Sequence, residues 1–134
     1  MDEFARWRLA ADRALQSAEL QRTGELFNWA CFAAEQAARL AVKGLLHGIG
    51  EGPWGHDLRG LVESAAAAGA GLGEESLDPA VRLTRHYIPS RYPDAHPAGD
   101  AGDNYRRSDA DAAIDDARSL VKAVDVVWSS LGGQ

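Results

Sequence analysis

No second cysteine accompanies Cys31, so no disulfide can form within the chain, and its neighbours Ala30, Phe32 and Ala33 mark it as a small buried side chain rather than an exposed nucleophile. Long apolar runs are missing as well. Nowhere do ~18 apolar residues follow one another, and the opening stretch "MDEFARWRLAADRA" carries charges where an export signal needs an apolar core. The expected setting is therefore the reducing cytoplasm, without membrane contact. Positive charge is also short. A formal net charge of −6 excludes a protein that coats duplex DNA or an anionic membrane through its overall field, so any contact with nucleic acid must be local. No GxGxxG follows a strand and no GxxxxGK[ST] occurs, which removes the usual phosphate loops. His47, His56, His86 and His96 lack metal-ligand spacing, so neither a metal nor another cofactor is expected.

What remains is helical periodicity. Apolar residues recur three and four apart over long windows, and no segment alternates apolar with polar residues, so the chain is predicted to be all-α, one domain over 1–134. A first helix over about 2–22 carries Phe4, Trp7, Ala11, Ala14, Leu15 and Ala18 on one stripe. Thr23 reads as the cap of a second helix, about 24–47, which is apolar around most of its girth and belongs at the centre of a bundle. The run "HGIGEGPWGH" stops it; Asp57 then caps a third helix, about 57–69, with His56 packed over the turn, and a soft Ala/Gly loop leads to Leu77. Asp78 and Pro79 open a fourth helix that must stop near Tyr87, because Pro89 and Pro93 disfavour helix at Ile88 and Tyr92 and predict a fixed extended turn. After a polar loop from Asp94 to Arg107, a fifth helix over about 108–131 opens on Ser108 with Asp111 at the capping-box position. Ala112, Ile114, Ala117, Leu120, Val121, Val124, Val127, Trp128 and Leu131 form its apolar stripe. The architecture expected is an up-and-down four-helix bundle with an additional short helix.

Two groups of polar residues stand out against this frame. Glu35 and Gln36 interrupt the most apolar helix, where a lone buried carboxylate would be costly. Arg39 lies at i+4 from Glu35 and Lys43 two turns along, giving either a surface ion pair or a buried polar network. The second group is basic and aromatic. Arg82, Arg85, His86, Arg91, Arg106 and Arg107 gather in one third of an acidic chain, interleaved with Tyr87, Tyr92 and Tyr105. Guanidinium and aromatic groups together suit single-stranded RNA or a nucleotide, through charge contact and base stacking. The candidate binding residues are Arg85, Arg91, Tyr92, Asp94, Tyr105 and Arg106, although Asp94, Asp100 and Asp103 could neutralise several of the arginines.

Three segments in order, "FNWACFAAEQAARLAVKGLL" (27–46), "HDLRGL" (56–61) and "YIPSRYPD" (87–94), together with the looser "DADAAIDDARSLVKAV" (109–124), resemble the HEPN-domain family in its RYPD-containing prokaryotic branch. The resemblance implies an all-α bundle, usually a homodimer, often encoded beside a minimal nucleotidyltransferase, that binds nucleotide or RNA in a toxin–antitoxin or stress module. In several branches it implies a ribonuclease whose activity lies in an Arg-x4–6-His motif, and Arg91 and His96 meet that spacing. Such a pair would cleave RNA without metal, the guanidinium binding the scissile phosphate and the imidazole moving the 2′-hydroxyl proton. Tyr92 replaces the polar residue common after the arginine, and Pro93 interrupts the helix that would project both side chains together. A non-catalytic interaction subunit is the remaining alternative.

Overall fold

A computed structural model of the chain describes residues 2–52 and 57–133; the packing expected of His56 lies outside the described residues. Among the described residues three long α-helices and two short ones form the bundle. Helix α1 spans Glu3–Thr23, and the Asp2 carboxylate caps it by accepting the Ala5 N–H at 2.7 Å. Thr23 ends this helix rather than capping the next. Gly24 and Glu25 turn the chain, Glu25 taking a left-handed φ of 63°, and the Leu26 N–H closes back on the Gln21 carbonyl at 2.8 Å. Helix α2, Phe27–Gly48, follows with Leu26 at its N-cap position and no side chain capping it.

Helix α2 is the centre of the bundle, against which α1 and α5 pack most extensively. Its alanines make that possible: Ala30, Ala34, Ala37, Ala38 and Ala41 are all fully buried, so neighbouring helices close on several sides at once. Asp57 caps α3, Leu58–Ala67, by accepting the Gly60 N–H at 2.6 Å. The segment after it is no loose loop, since Ala70 and Leu72 enter the core and a short turn at Glu74–Ser76 leads into α4, Leu77–Thr84. The fourth helix therefore begins before Asp78, which lies in its first turn, and Pro79 is buried.

Helix α5, Arg107–Ser130, starts one residue earlier than expected because the capping contact is offset: Asp109, not Asp111, accepts the Arg106 N–H, at 2.7 Å. Ile114, Ala117, Leu120, Val121 and Val124 form its buried stripe, but Ala113 takes the place foreseen for Ala112, and Leu131 is half exposed beyond the last turn. Trp128 stacks on Phe4 with ring centroids 4.2 Å apart, tying the ends of α5 and α1 together. Among the described residues no helix is long and apolar enough to cross a membrane.

Candidate functional site

The chain leaves α4 without becoming extended at once. Hydrogen bonds from the His86 N–H to Leu83, Tyr87 to Thr84 and Arg91 to Ile88, at 2.9–3.2 Å, carry it as successive turns to Arg91. Tyr92 is extended, with φ −112° and ψ 127°, as the following Pro93 demands. These turns lie on one stripe of α2 built from Asn28, Phe32, Glu35, Gln36 and Arg39, whose spacing of three and four puts them on a common face. The Asn28 side-chain amide crosses to the turn and donates to the Ser90 carbonyl at 3.0 Å.

Arg91 is the focus of this face. Its Cζ lies 4.5 Å from the Phe32 ring centroid, 4.8 Å from Tyr87 and 5.0 Å from Tyr92, and its Nε donates to the Tyr87 carbonyl at 3.0 Å. Each ring contributes roughly 0.5–1 kcal/mol of cation–π attraction at an exposed site, enough together to hold the guanidinium against rotamer entropy. No carboxylate pairs with it among the described residues. Among the described residues eight arginines have such partners, including Arg82 with Asp116 and Arg107 with Glu25, whereas Arg13, Arg85, Arg91 and Arg106 have none there. Asp100 and Asp103 cap each other's backbone N–H groups instead, and Asp94 is exposed on a short turn, so none of the three neutralises the cluster. Arg85 is exposed, while Arg106 donates to the Asp103 and Tyr105 carbonyls at 3.0 and 3.1 Å.

Beneath Arg91 the α2 polar residues form a buried network. Glu35 is fully buried, Arg39 is 8 % exposed, and the Arg39 Nε donates to Glu35 Oε1 at 2.8 Å while Gln36 donates to Oε2 at the same distance. Of the two possibilities open in the sequence, the surface pair is thus excluded. The Arg39 guanidinium also covers the Tyr87 ring, 4.6 Å from its centroid, so Tyr87 joins the buried ion pair to Arg91. Lys43 makes no hydrogen bond or ion pair to Glu35 among the described residues.

His96 and Tyr105 lie differently from expectation. The His96 Nε2 is 2.6 Å from the Pro89 carbonyl, which can only accept, so this nitrogen carries the proton and the ring braces the turn. No hydrogen bond joins His96 to Arg91 among the described residues. Tyr105, expected to offer a stacking surface, is buried, with its hydroxyl 3.0 Å from His86 Nδ1 and its ring edge-on to His96. Burial raises the Tyr105 hydroxyl above the ordinary phenol range and pushes the Cys31 thiol up to about 12, so both stay neutral.

Burial also holds the His86 imidazole below its ordinary range, with Asp109 and Asp116 opposing the shift and Arg85 adding to it. Folding therefore favours the neutral ring. Its contribution is complete above the unfolded value of about 6.5 and is lost as pH falls through the lower folded value. Urea midpoints of the wild type should fall more between pH 7.5 and 5.5 than those of His86→Gln; equal falls would remove His86 from the acid response.

The residues that sequence reasoning missed are Phe32 and Tyr87 as a seat for Arg91, and Asn28 and Ser90 as its support. A polar side chain at the start of an apolar helix was the only signal of Asn28. Among the described residues, no three His, Cys, Asp or Glu side chains gather to hold a metal ion. What the face can do is offer an open guanidinium and partly exposed aromatic rings to an anion bearing a planar group.

A family model for the HEPN domain matches residues 4–127. Among solved structures, the protein TT1696 from Thermus thermophilus is 36% identical, with a TM-score of 0.90 over 95% of this chain and 99% of that one. ST0689, an archaeal HEPN homologue, is 32% identical, with a TM-score of 0.78 over 94% of this chain and 98% of its own. The HEPN-domain protein TM0613 of Thermotoga maritima is 26% identical, with a TM-score of 0.75 over 92% and 98% of the two chains. No curated protein matches.

Proposed function

Because the chain belongs to the HEPN family, we propose that it binds RNA or a nucleotide on the face centred on Arg91, with the guanidinium receiving a phosphate and Tyr92 and Phe32 offering ring faces to a base. One observation carries this reading: among the described residues, where most arginines have a carboxylate partner, Arg91 has none and is seated among three aromatic rings. A guanidinium needed only for stability would gain more from a carboxylate partner.

Arg91→Ala should weaken binding of a labelled single-stranded RNA about tenfold, the loss of one charge-assisted contact, with little loss of stability. His96→Ala should do less, since its ring is turned to Pro89. Unchanged affinity in Arg91→Ala would leave the non-catalytic interaction subunit as the better reading. Equal, near-complete loss of RNA cleavage in both variants would instead establish the metal-independent ribonuclease.

The Arg91-Tyr92-Pro93-Asp94 sequence supports membership of the RYPD-containing branch, and with it a minimal nucleotidyltransferase partner in a toxin–antitoxin or stress module. A homodimer fits the same surface, because Leu26, Trp29 and Ile88 are each exposed by 42–53% beside the Arg91 face. Two-fold closure over them would bring two copies of Arg91 near one another. Light scattering at micromolar concentration should give twice the chain mass; a monomer mass throughout would count against closure.

A further inference from the structure

Resting on the reading that Arg91 receives the ligand's phosphate, we propose that Asn28 is the positioning residue of that site: its side-chain amide, reaching from α2 to the Ser90 carbonyl, fixes the peptide from which Arg91 projects. The Ser90 carbonyl needs such a partner. In a continuing helix it would accept the N–H of Asp94, but the extended backbone of Tyr92 ends that possibility, and among the described residues no backbone N–H reaches this acceptor. Asn28, only 8 % exposed, supplies the donor at 3.0 Å. Ser90 is fully buried, and its hydroxyl donates back to the His86 carbonyl, so the residue cannot turn to another partner.

The consequence falls on Arg91 directly. The peptide between Ser90 and Arg91 is held at both ends, its carbonyl by Asn28 and its N–H by the Ile88 carbonyl at 3.1 Å. Its plane then sets the direction in which the Arg91 side chain leaves the backbone. Asn28 stands one helical turn before Phe32, so the helix that holds the turn also carries a ring on which the guanidinium rests. Asn28 Oδ1 meanwhile faces the turn at Gly102, where an added Cβ would lie 3.5 Å from it, an ordinary van der Waals contact. Arg39 and Tyr87 fix the ring side of Arg91, and Asn28 fixes its backbone side.

The test separates position from stability. In ¹⁵N-labelled protein without ligand, the Arg91 Nε–H resonance of the wild type should be displaced by the surrounding rings. In Asn28→Ala it should move toward the resonances of exposed arginines, and the dissociation constant for a fluorescein-labelled single-stranded oligoribonucleotide should rise about fivefold, the loss of one neutral hydrogen bond. An unmoved Arg91 resonance would reduce Asn28 to a stability residue and overturn the inference whatever the RNA does. A moved resonance with RNA affinity unchanged in both Asn28→Ala and Arg91→Ala supports the positioning and overturns the binding reading beneath it. Should Asn28→Ala not fold, exchange of the Asn28 side-chain amide protons in the wild type decides: protection supports the contact, and exchange at the rate of an exposed asparagine overturns it.

Discussion

Glu35→Ala should lower the stability of the fold by about 3–5 kcal/mol, the range found when one member of a buried ion pair is removed and the other stays behind. The carboxylate is fully buried in the middle of α2, and it accepts from both Arg39 and Gln36. Without it a guanidinium that is 8 % exposed keeps its charge but loses the Glu35 oxygen to which its Nε donates at 2.8 Å, while its contact with the Tyr87 ring stays. Helix propensity works the other way, but alanine gains only a few tenths of a kcal/mol over glutamate, so the lost pair decides the sign. Replacing both partners, as Glu35→Leu with Arg39→Met, should recover most of the loss, because two apolar side chains need no partner. Urea unfolding at constant slope checks both variants. A loss below ~1 kcal/mol in Glu35→Ala would mean that the pair behaves like one at the surface. The same substitution should also weaken RNA binding, since Arg39 holds the Tyr87 ring on which Arg91 rests.

Gly44→Val should cost about 3 kcal/mol, because α1 crosses α2 where glycine leaves no side chain between them. A Cβ at Gly44 would stand 2.7 Å from the Cβ of Trp7 and 3.6 Å from the Phe4 carbonyl oxygen. The Trp7 Cβ is bonded to its backbone, so no rotamer change relieves the clash and the helices must separate. Gly44→Ala isolates the opposing term. Alanine gains about 1 kcal/mol of helix propensity over glycine, while overpacking costs ~1–3 kcal/mol, so the net loss should be near 1 kcal/mol. Valine adds two methyl groups to the same clash and gives back most of the propensity gain. Thermal unfolding should show Gly44→Val melting roughly 10 °C below the wild type. A shift of 2 °C or less would mean that α1 can move aside freely.

Two of the segments that carry the HEPN resemblance, 27–46 and 87–94, lie against each other in the fold. The alanines and Gly44 let α2 be surrounded, its glutamate anchors a buried pair, and the RYPD turn rests on that pair through Tyr87.

Periodicity determined the helices and their order, because burial at a spacing of three and four is a local property that survives without knowing any neighbour. The Asp57 cap and the extended backbone of Tyr92 before Pro93 were legible for the same reason, each acting through its own backbone, whereas the start expected at Asp78 and Pro79 was not, since α4 opens at Leu77. Helix starts chosen between rival caps were not. Thr23 against Leu26, and Ser108 with Asp111 against Arg106 with Asp109, differ by fractions of a kcal/mol that packing overrides. At the site, composition pointed to Arg91, Tyr92, Glu35 and Gln36, since a charge in an apolar helix or between two prolines is conspicuous in one dimension. Only the tertiary structure decided which arginines find carboxylates, that Tyr105 turns inward, that His96 braces Pro89, and that Asn28 and Phe32 meet Ser90 and Arg91 more than fifty residues away. Those outcomes depend on how α2 is rotated against the turn after α4, and that angle is set by the whole core rather than by any segment of the chain.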